Sequence, residues 1–241
     1  MAISFANREV CDLTFCDYAT KKPIHRCDYA NTSSQELTGE ATYAYGGKGH
    51  PKRVTFYGEK GGTLTVETQI QTAELYSIMT GAAVETSAKF LKRLELEAAE
   101  HVLTLPEGVT LEAGSVNVYA ADDDCGTPLE VTVSGSSITL PEDAAGTFIV
   151  YGLETMATGV KKMNIKSTTF PKALTIYGET FMKGEDDVIY PYKMVAYKAA
   201  PQQTFSLSFS SSGDPASITL TFDLLADDDD NILDMVLVDA E

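Results

Sequence analysis

The sequence predicts a mainly β, antiparallel protein: a β-sandwich or barrel with one helix, together with a small inserted β-sandwich. Three observations predict this class. Apolar residues alternate with polar ones along several segments, as in strands that bury one face. Gly and Pro separate these segments at short intervals. The chain has 241 residues, enough to bury the core of one large domain or of two small ones.

Three strands are predicted early in the chain, at residues 38–45, 52–57 and 63–71. The glycine-rich segments 46–49 and 58–62 lie between them, and glycine adopts the backbone angles that tight turns require. This region is therefore predicted to consist of short strands joined by turns.

The next segment, residues 72–81, predicts the one well-marked helix of the chain. Leu75, Ile78 and Met79 recur at helical spacing, so they would share one buried face. Thr72 is suited to cap the start of this helix, and Gly81 is suited to end it.

The middle of the chain predicts a separate module, a small β-sandwich inserted over residues 100–153. Residues 1–99 and 154–241 would then form one discontinuous β domain. Short strands are predicted at residues 115–120, 129–133, 136–140 and 147–151, with Gly and Pro between them. The charge supports a separate module, since residues 61–155 carry 3 basic and 15 acidic groups and all three basic groups precede residue 100.

The C-terminal region predicts a three-stranded antiparallel meander. Its strands are predicted at residues 205–210, 218–224 and 232–238, and the segments 211–215 and 227–230 would form the turns. The Ser and Thr residues at 206–210 and 219–223 would form the polar faces of the first two strands.

The first thirty-five residues predict an N-terminal arm, because apolar residues are scattered among charges without a sustained period. Residues 1–60 carry 8 basic and 7 acidic groups, whereas the rest of the chain is acidic. Such an arm would dock on the negative surface of a neighbouring subunit, and a chain without it would fold but not polymerise. The alternative is an irregular strand folded back on its own domain.

The overall charge is strongly negative, with 18 Lys and Arg against 35 Asp and Glu, a net charge of -17. An acidic surface repels polyanions, which argues against sequence-specific nucleic-acid binding but not against a protein that stands close to DNA. No secretory signal and no apolar run of membrane-spanning length is expected, so a reducing cytoplasm is predicted. The four cysteines, Cys11, Cys16, Cys27 and Cys125, are then free thiols.

The residues offer little catalytic or metal chemistry. Of the three histidines, His25, His50 and His101, none lies in a zinc-protease or nucleophile motif. The loop at residues 46–50 lacks the spacing of a phosphate-binding loop, so a flexible turn or an interface loop is favoured. Cys11, Cys16, His25 and Cys27 have the chemistry of zinc ligands, but their spacing is cramped, and small apolar side chains in an arm or strand are the favoured interpretation.

The acidic runs fail as calcium loops. Asp227, Asp229 and Asn231 match the first three ligand positions, but Ile232 stands where a glycine is needed and Val238 where a glutamate should close the site. The run 122–124 fails in the same way. No catalytic, cofactor-binding or metal-binding residue is therefore predicted, and no cofactor.

Two stretches of the sequence resemble bacteriophage tail tube (major tail) proteins. Residues 43–82 contain GGKGHPKRVTFYGEK and TAELYSIMTGA, and residues 170–239 contain GETFMKGEDD, PQQTFSLSFS and SGDPAS. Together they cover about half of the chain. The resemblance implies a tail-tube-like β domain of residues 1–99 and 154–241, with an inserted Ig-like module.

The resemblance also implies a role without catalysis. Tail tube proteins form rings, typically hexameric, that stack into a hollow conduit for the genome and the tape-measure protein. The partners would be further copies of the chain, the tape-measure protein and other tail proteins, with passive passage of DNA and no membrane. The location would be the virion tail, after assembly in the host cytoplasm.

Two other functions remain as alternatives. The chain could be a decoration or binding module of a virion or cell surface, whose acidic insert recognises a ligand through calcium. A β-rich enzyme is the third hypothesis, and no motif supports it. An acidic or Ser/Thr-lined lumen would suit a DNA conduit, and the polar faces at 206–210 and 219–223 are candidates for it.

Overall fold

A computed structural model describes residues 4–204 and 206–239. The chain divides into two units, the first formed by Met1–Ala83 with Met163–Glu241 and the second by Val84–Lys162. The predicted mainly β, antiparallel class with one α-helix is confirmed.

The elements are listed here in chain order. They are β1 (Phe5–Ala6), β2 (Asp12–Asp17), β3 (Pro23–Cys27), β4 (Thr32–Tyr45), β5 (Lys52–Thr68), α1 (Ala73–Thr80), β6 (Val84–Glu85), β7 (Ala88–Glu97), β8 (Val102–Thr104), a 3₁₀ turn (Ala113–Ser115), β9 (Asn117–Ala120), β10 (Thr132–Ser134), β11 (Ser137–Thr139), β12 (Thr147–Met156), β13 (Lys162–Met163), β14 (Leu174–Gly184), β15 (Ile189–Pro201), β16 (Ile218–Leu225) and β17 (Leu233–Leu237).

The first unit is built on a nine-stranded antiparallel sheet. Its main order is β3-β2-β14-β15-β16-β5-β4, while β1 pairs with β14 and β17 pairs with β15. Strands β16 and β17 lie one after the other along the same edge of β15, at residues 198–201 and 192–196. The chain between them makes a short excursion from the sheet at residues 226–232.

The core of the first unit lies on one face of this sheet. Alternate side chains of β2, β5, β14, β15 and β16 converge there, as the period of a strand requires. Phe15 and Phe222 are fully buried, with ring centroids 5.5 Å apart. Burying a side chain of this size contributes about 1.5–3 kcal/mol to the stability of the fold.

Helix α1 covers part of this core and forms where the sequence predicts it. The Thr72 hydroxyl accepts a hydrogen bond from the Leu75 amide at 3.2 Å, which caps the first turn. Gly81 ends the helix in the left-handed conformation, with φ 73°. Leu75, Ile78 and Met79 are buried, which confirms the predicted apolar face.

The predicted N-terminal arm is wrong for the residues that form β2 and β3. Strand β2 pairs with β14, and Leu13, Phe15 and Cys27 are fully buried in the core. The segment is thus a strand pair of its own domain, and removing it would expose the core. The alternation that buries it spans only one short strand, too brief to be recognised in the sequence.

The predicted turn at residues 58–62 is also wrong, because β5 continues through it. Gly62 serves close backbone packing and not a reversal of the chain. A Cβ atom on Gly62 would lie 2.3 Å from the carbonyl oxygen of Glu36 on β4. A register shift between Gly39 and Ala41 accommodates the glycine-rich part of β5.

The predicted C-terminal meander is wrong in its pairing. Phe205 lies outside the described residues, and residues 206–210 have no strand structure. Strands β16 and β17 exist, but both pair with β15 and not with each other. The acidic segment between them carries the chain forward along β15, so it does not reverse the chain as a hairpin turn would.

The second unit consists of two three-stranded antiparallel sheets, β7-β12-β9 and β10-β11-β8. They share one core, which includes Leu103, Val118, Ile138 and Val150. The unit is wider than the predicted segment 100–153, because β7 pairs along its whole length with β12.

Candidate functional site

The most prominent exposed feature is the distal part of the β4–β5 hairpin, residues 41–57. Strand β16 pairs with β5 only up to Gly62, which lies opposite Leu224. Beyond that point β4 and β5 pair with each other, and no third strand joins them within the described residues. Every described residue from 51 to 60 is exposed. We call residues 41–57 the distal hairpin.

Both faces of the distal hairpin carry apolar or aromatic side chains. Val54 and Phe56 share one face, and the Phe56 side chain is 60% exposed. The other face carries Tyr43 and Tyr57, and Tyr57 is 84% exposed. Such a ribbon has no core of its own, and exposed apolar patches of this kind mark interaction surfaces.

The tip of the hairpin is basic. Lys48, Lys52 and Arg53 are its charged residues, and no acidic residue occurs between positions 41 and 58. The Lys52 ammonium lies 3.6 Å from the centre of the Tyr43 ring, and the Arg53 guanidinium donates to the Gly46 carbonyl at 3.2 Å. The segment predicted as a flexible turn or interface loop is thus the turn of this hairpin.

A polar surface covers the outer face of β4, β5 and β16, opposite the core. Three rows of paired residues form it: Thr32, Glu67 and Thr219; Ser34, Thr65 and Thr221; Glu36, Thr63 and Asp223. None of these nine residues is basic, and three are acidic. Ser217 donates to Glu67 at 2.7 Å and Gln202 donates to Asp223 at 2.7 Å, so the face is also held by hydrogen bonds. We call it the polar sheet face.

The candidate zinc ligands lie in or beside the core. Cys11, Cys16 and Cys27 are buried, and burial raises the pKa of the Cys11 thiol to about 11. His25 and Tyr29 form a hydrogen bond of 2.7 Å, and burial lowers the pKa of His25. In residues 4–204 and 206–239, no three His, Cys, Asp or Glu residues are placed to hold a metal.

The remaining candidate residues are held by local contacts. Asp227 accepts hydrogen bonds from the Asp229 amide at 3.0 Å and the Asn231 amide at 2.8 Å, which shapes the turn before β17. His101 contacts the Ala144 carbonyl at 3.0 Å. His50 lies at the hairpin tip with φ 45°.

The second unit presents a negative surface. Its segment carries 13 acidic and 5 basic residues, a net charge of -8. Four cations lie against carboxylates of the same unit: Lys89 with Glu112, Lys92 with Glu154, Arg93 with Asp124, and Lys162 with Glu85. The acidic excess is therefore left to face solvent. The Asp122–Asp124 run contributes to this surface, and Cys125 beside it is exposed.

Sequence reasoning missed the distal hairpin as a surface. The sequence predicts only that Val54, Phe56 and Tyr57 belong to a short strand at residues 52–57. Only the pairing limit at Gly62 shows that they extend past the sheet. The one sequence signal was the absence of acidic residues from 41 to 58 in a chain of net charge -17.

No helix in the described part of the chain is long and apolar enough to cross a membrane. No curated protein matches the chain. The sequence model of the YomU/Tube protein family matches residues 7–238, which is nearly the whole chain. The protein therefore belongs to the YomU/Tube protein family, a phage-associated family of tube proteins.

Proposed function

We propose that this protein is the structural subunit of a phage tail tube, in which copies form stacked rings around a conduit for DNA. The distal hairpin is the observation that carries the proposal. Its exposed Val54 and Phe56 lie beyond the sheet, where no described part of the same copy covers them. Contact with another copy would remove this apolar surface from water.

The outer edge of β4 supports lateral contact within a ring. This strand of fourteen residues is the end of the main sheet, and among the described residues it pairs only with β5. It contains no Lys, Arg or Pro, the residues that commonly protect an edge from pairing. A strand of a neighbouring copy would satisfy its free amide and carbonyl groups and close the ring.

The polar sheet face supports the assignment of a lumen. Its rows of Ser, Thr and acidic residues offer no cation to a phosphate. A negative wall repels DNA, so the nucleic acid passes without being held. The tape-measure protein would occupy the same conduit during assembly, and the resemblance to tail tube proteins implies rings of six copies.

The second unit favours a second candidate function, an exposed decoration or binding module. Its cations are largely neutralised within the unit, so its surface presents acidic groups to a partner. In the proposed tube this unit would be the inserted Ig-like module, a surface decoration. The proposed role of the whole chain is structure and recognition, without catalysis.

Electron microscopy of the purified full chain tests the proposal. The wild-type chain is expected to form hollow filaments or stacked rings as its concentration is raised. The double variant Val54→Ser with Phe56→Ser is expected to keep its thermal unfolding temperature and to lose the particles. Leu91→Ser is the matched control, because Leu91 is 60% exposed in the second unit. Compact monomers of the wild-type chain at all concentrations would contradict the proposal.

A further inference from the structure

We propose that the basic tip of the distal hairpin docks on the acidic turn at residues 227–230 of the next copy in the stack. This inference rests on the proposed function, and it names the surface that receives the hairpin. The contact joins two different surfaces of the same chain, so it gives the stack a direction.

The tip carries basic side chains, and no salt bridge joins them to a carboxylate within residues 4–204 and 206–239. Lys48, Lys52 and Arg53 give residues 41–58 a charge of +3 in a chain of net charge -17. Lys52 lies over the Tyr43 ring and Arg53 donates to a backbone carbonyl, but neither contact neutralises a cation. An acidic surface on another copy is therefore the complementary partner.

The acidic turn is the longest unbroken run of carboxylates in the chain, Asp227 to Asp230. It lies between β16 and β17, where the chain leaves the sheet edge. Asp227 is used internally, since it accepts the amides of Asp229 and Asn231. The side chains of Asp228, Asp229 and Asp230 are exposed and remain available to a second copy.

Two cations of the same copy lie near this turn, but they do not neutralise its negative charge. Lys21 and Lys198 both lie over the Tyr18 ring, at 4.2 and 5.3 Å from its centre. Burial raises the pKa of Tyr18, and the carboxylates of the turn raise it further. The turn therefore lies beside Tyr18 and the two lysines. Four carboxylates and two ammonium groups leave a local charge of about -2.

The tip and the turn of one copy are too far apart to meet. Gly62 of β5 lies opposite Leu224, just before the turn, and Lys52 marks the tip. The strand runs ten residues between those two positions (62 minus 52), about 33 Å at about 3.3 Å per residue. The tip therefore does not reach the acidic turn of its own copy, and a copy displaced along the strand direction would bring its turn to the tip.

This displacement explains why the contact makes a filament. A contact between two different surfaces is heterologous, and it propagates without closing when the copies are related by translation along an axis. Stacked rings need a contact of this kind along the axis of the tube.

The other acidic turn of the first unit is a poorer receptor. In the segment 185–187, the Asp187 carboxylate pairs with Lys183 at 2.6 Å. Asp186 accepts the Tyr190 hydroxyl at 2.6 Å and the Val188 amide at 3.1 Å. The segment also lies where β14 turns into β15, about the level of the hairpin tip, so head-to-tail stacking does not bring the two together.

Charge reversal on the full chain tests the docking. Three variants are needed: a tip variant with Lys48→Glu, Lys52→Glu and Arg53→Glu; a turn variant with Asp228→Lys, Asp229→Lys and Asp230→Lys; and the combination of all six. Asp227 is kept because it shapes the turn. The matched control is Glu107→Lys with Glu142→Lys and Asp143→Lys, three exposed acids of the second unit.

The concentration at which particles appear is measured by light scattering and electron microscopy, with circular dichroism as the check on folding. The tip and turn variants are each expected to raise that concentration by about tenfold or more, and the combined variant to restore it. The control is expected to leave it unchanged. Added salt is expected to raise the concentration at which the wild-type chain forms particles, because salt screens the attraction between the charged surfaces.

The outcomes separate this inference from the proposed function. If the wild-type chain forms no particles, both are overturned. If the wild-type chain and the turn variant form particles at the same concentration, only the docking on residues 227–230 is overturned. Loss of particles in the control alone would move the receptor to the second unit and would also overturn it.

Discussion

The carboxylate of Asp124 accepts a hydrogen bond from the Arg93 guanidinium at 2.9 Å and another from the Tyr151 hydroxyl at 3.0 Å. These contacts tie the loop after β9 to strands β7 and β12 of the second unit. Ile149, on the same face as Tyr151, is only 2% exposed. One exposed carboxylate thus anchors the loop that follows the edge strand β9.

The pH dependence of this anchor gives the first prediction. The hydrogen bond from Arg93 is the largest cause that lowers the pKa of Asp124 below the ordinary aspartate value of 3.8. The folded state therefore favours the ionised carboxylate, and the stability it adds is present above pH 3.8 and is lost as pH falls through the lower folded value.

Thermal unfolding from pH 7 downward, for the wild-type chain and for Asp124→Asn, checks this prediction. The wild-type chain is expected to unfold at the higher temperature near neutral pH, and the difference is expected to disappear in strong acid. A difference that stayed constant with pH would show that the charge of Asp124 contributes nothing.

The core of the first unit gives the second prediction. Phe222 is fully buried against Phe15, so Phe222→Ala leaves a cavity and is expected to lower the free energy of unfolding by about 3–5 kcal/mol. Phe209→Ala is the control, because Phe209 is 90% exposed and its change is expected to stay within about 0.5 kcal/mol. Urea unfolding followed by circular dichroism measures both. Equal losses in the two variants would contradict the placement of Phe222 in the core.

Two adjacent glycines in β5 give the third prediction. A Cβ on Gly62 would lie 2.3 Å from the Glu36 carbonyl oxygen, whereas a Cβ on Gly61 would meet nothing closer than 3.8 Å. Gly62→Ala is therefore expected to destabilise the chain by about 1–3 kcal/mol, because backbone of β4 or β5 must shift. Gly61→Ala is expected to be near neutral. If urea unfolding ranked the two variants in the opposite order, the β4–β5 register would be wrong.

Thiol reactivity gives the fourth prediction. Cys125 is exposed, while Cys11, Cys16 and Cys27 are buried. Burial raises the pKa of Cys11 to about 11, which keeps it protonated and unreactive near neutral pH. A colorimetric thiol reagent is expected to modify one cysteine of the folded chain and four after denaturation. Rapid reaction of three or more thiols in the folded chain would show that β2 and β3 are not part of the core.

Local features of the fold were predictable where interactions between residues close in sequence determine them. Helix α1 has a capping Thr72, a terminal Gly81 and apolar residues at helical spacing, and each of these acts within a few residues. Strands β9 to β12 and β16 were likewise marked by alternation and by flanking Gly and Pro. Cys11, Cys16 and Cys27 are buried in or beside the strands β2 and β3.

Pairing between distant strands was not predictable, because the alternation of apolar and polar residues along a strand does not indicate which strand it pairs with. Strands β16 and β17 look like a hairpin in the sequence, yet both pair with β15. Strand β2 looks like part of an arm, yet its register with β14 buries Leu13 and Phe15. The exposure of the candidate site was not predictable for the same reason. Val54 and Phe56 have the pattern of core residues, and they are exposed because the pairing of β5 with β16 ends before it reaches them.

The sequence by itself determined the β class, the single helix with its caps, the uneven charge and the basic hairpin tip, because these depend on residue type and near-neighbour spacing. Only the tertiary structure decided which strands meet, where the sheet ends and which apolar residues lack a cover. The physical reason is that burial is a property of the packed sheet: the same alternating residues form a core at Leu64 and Val66 and an exposed surface at Val54 and Phe56 of one continuous strand.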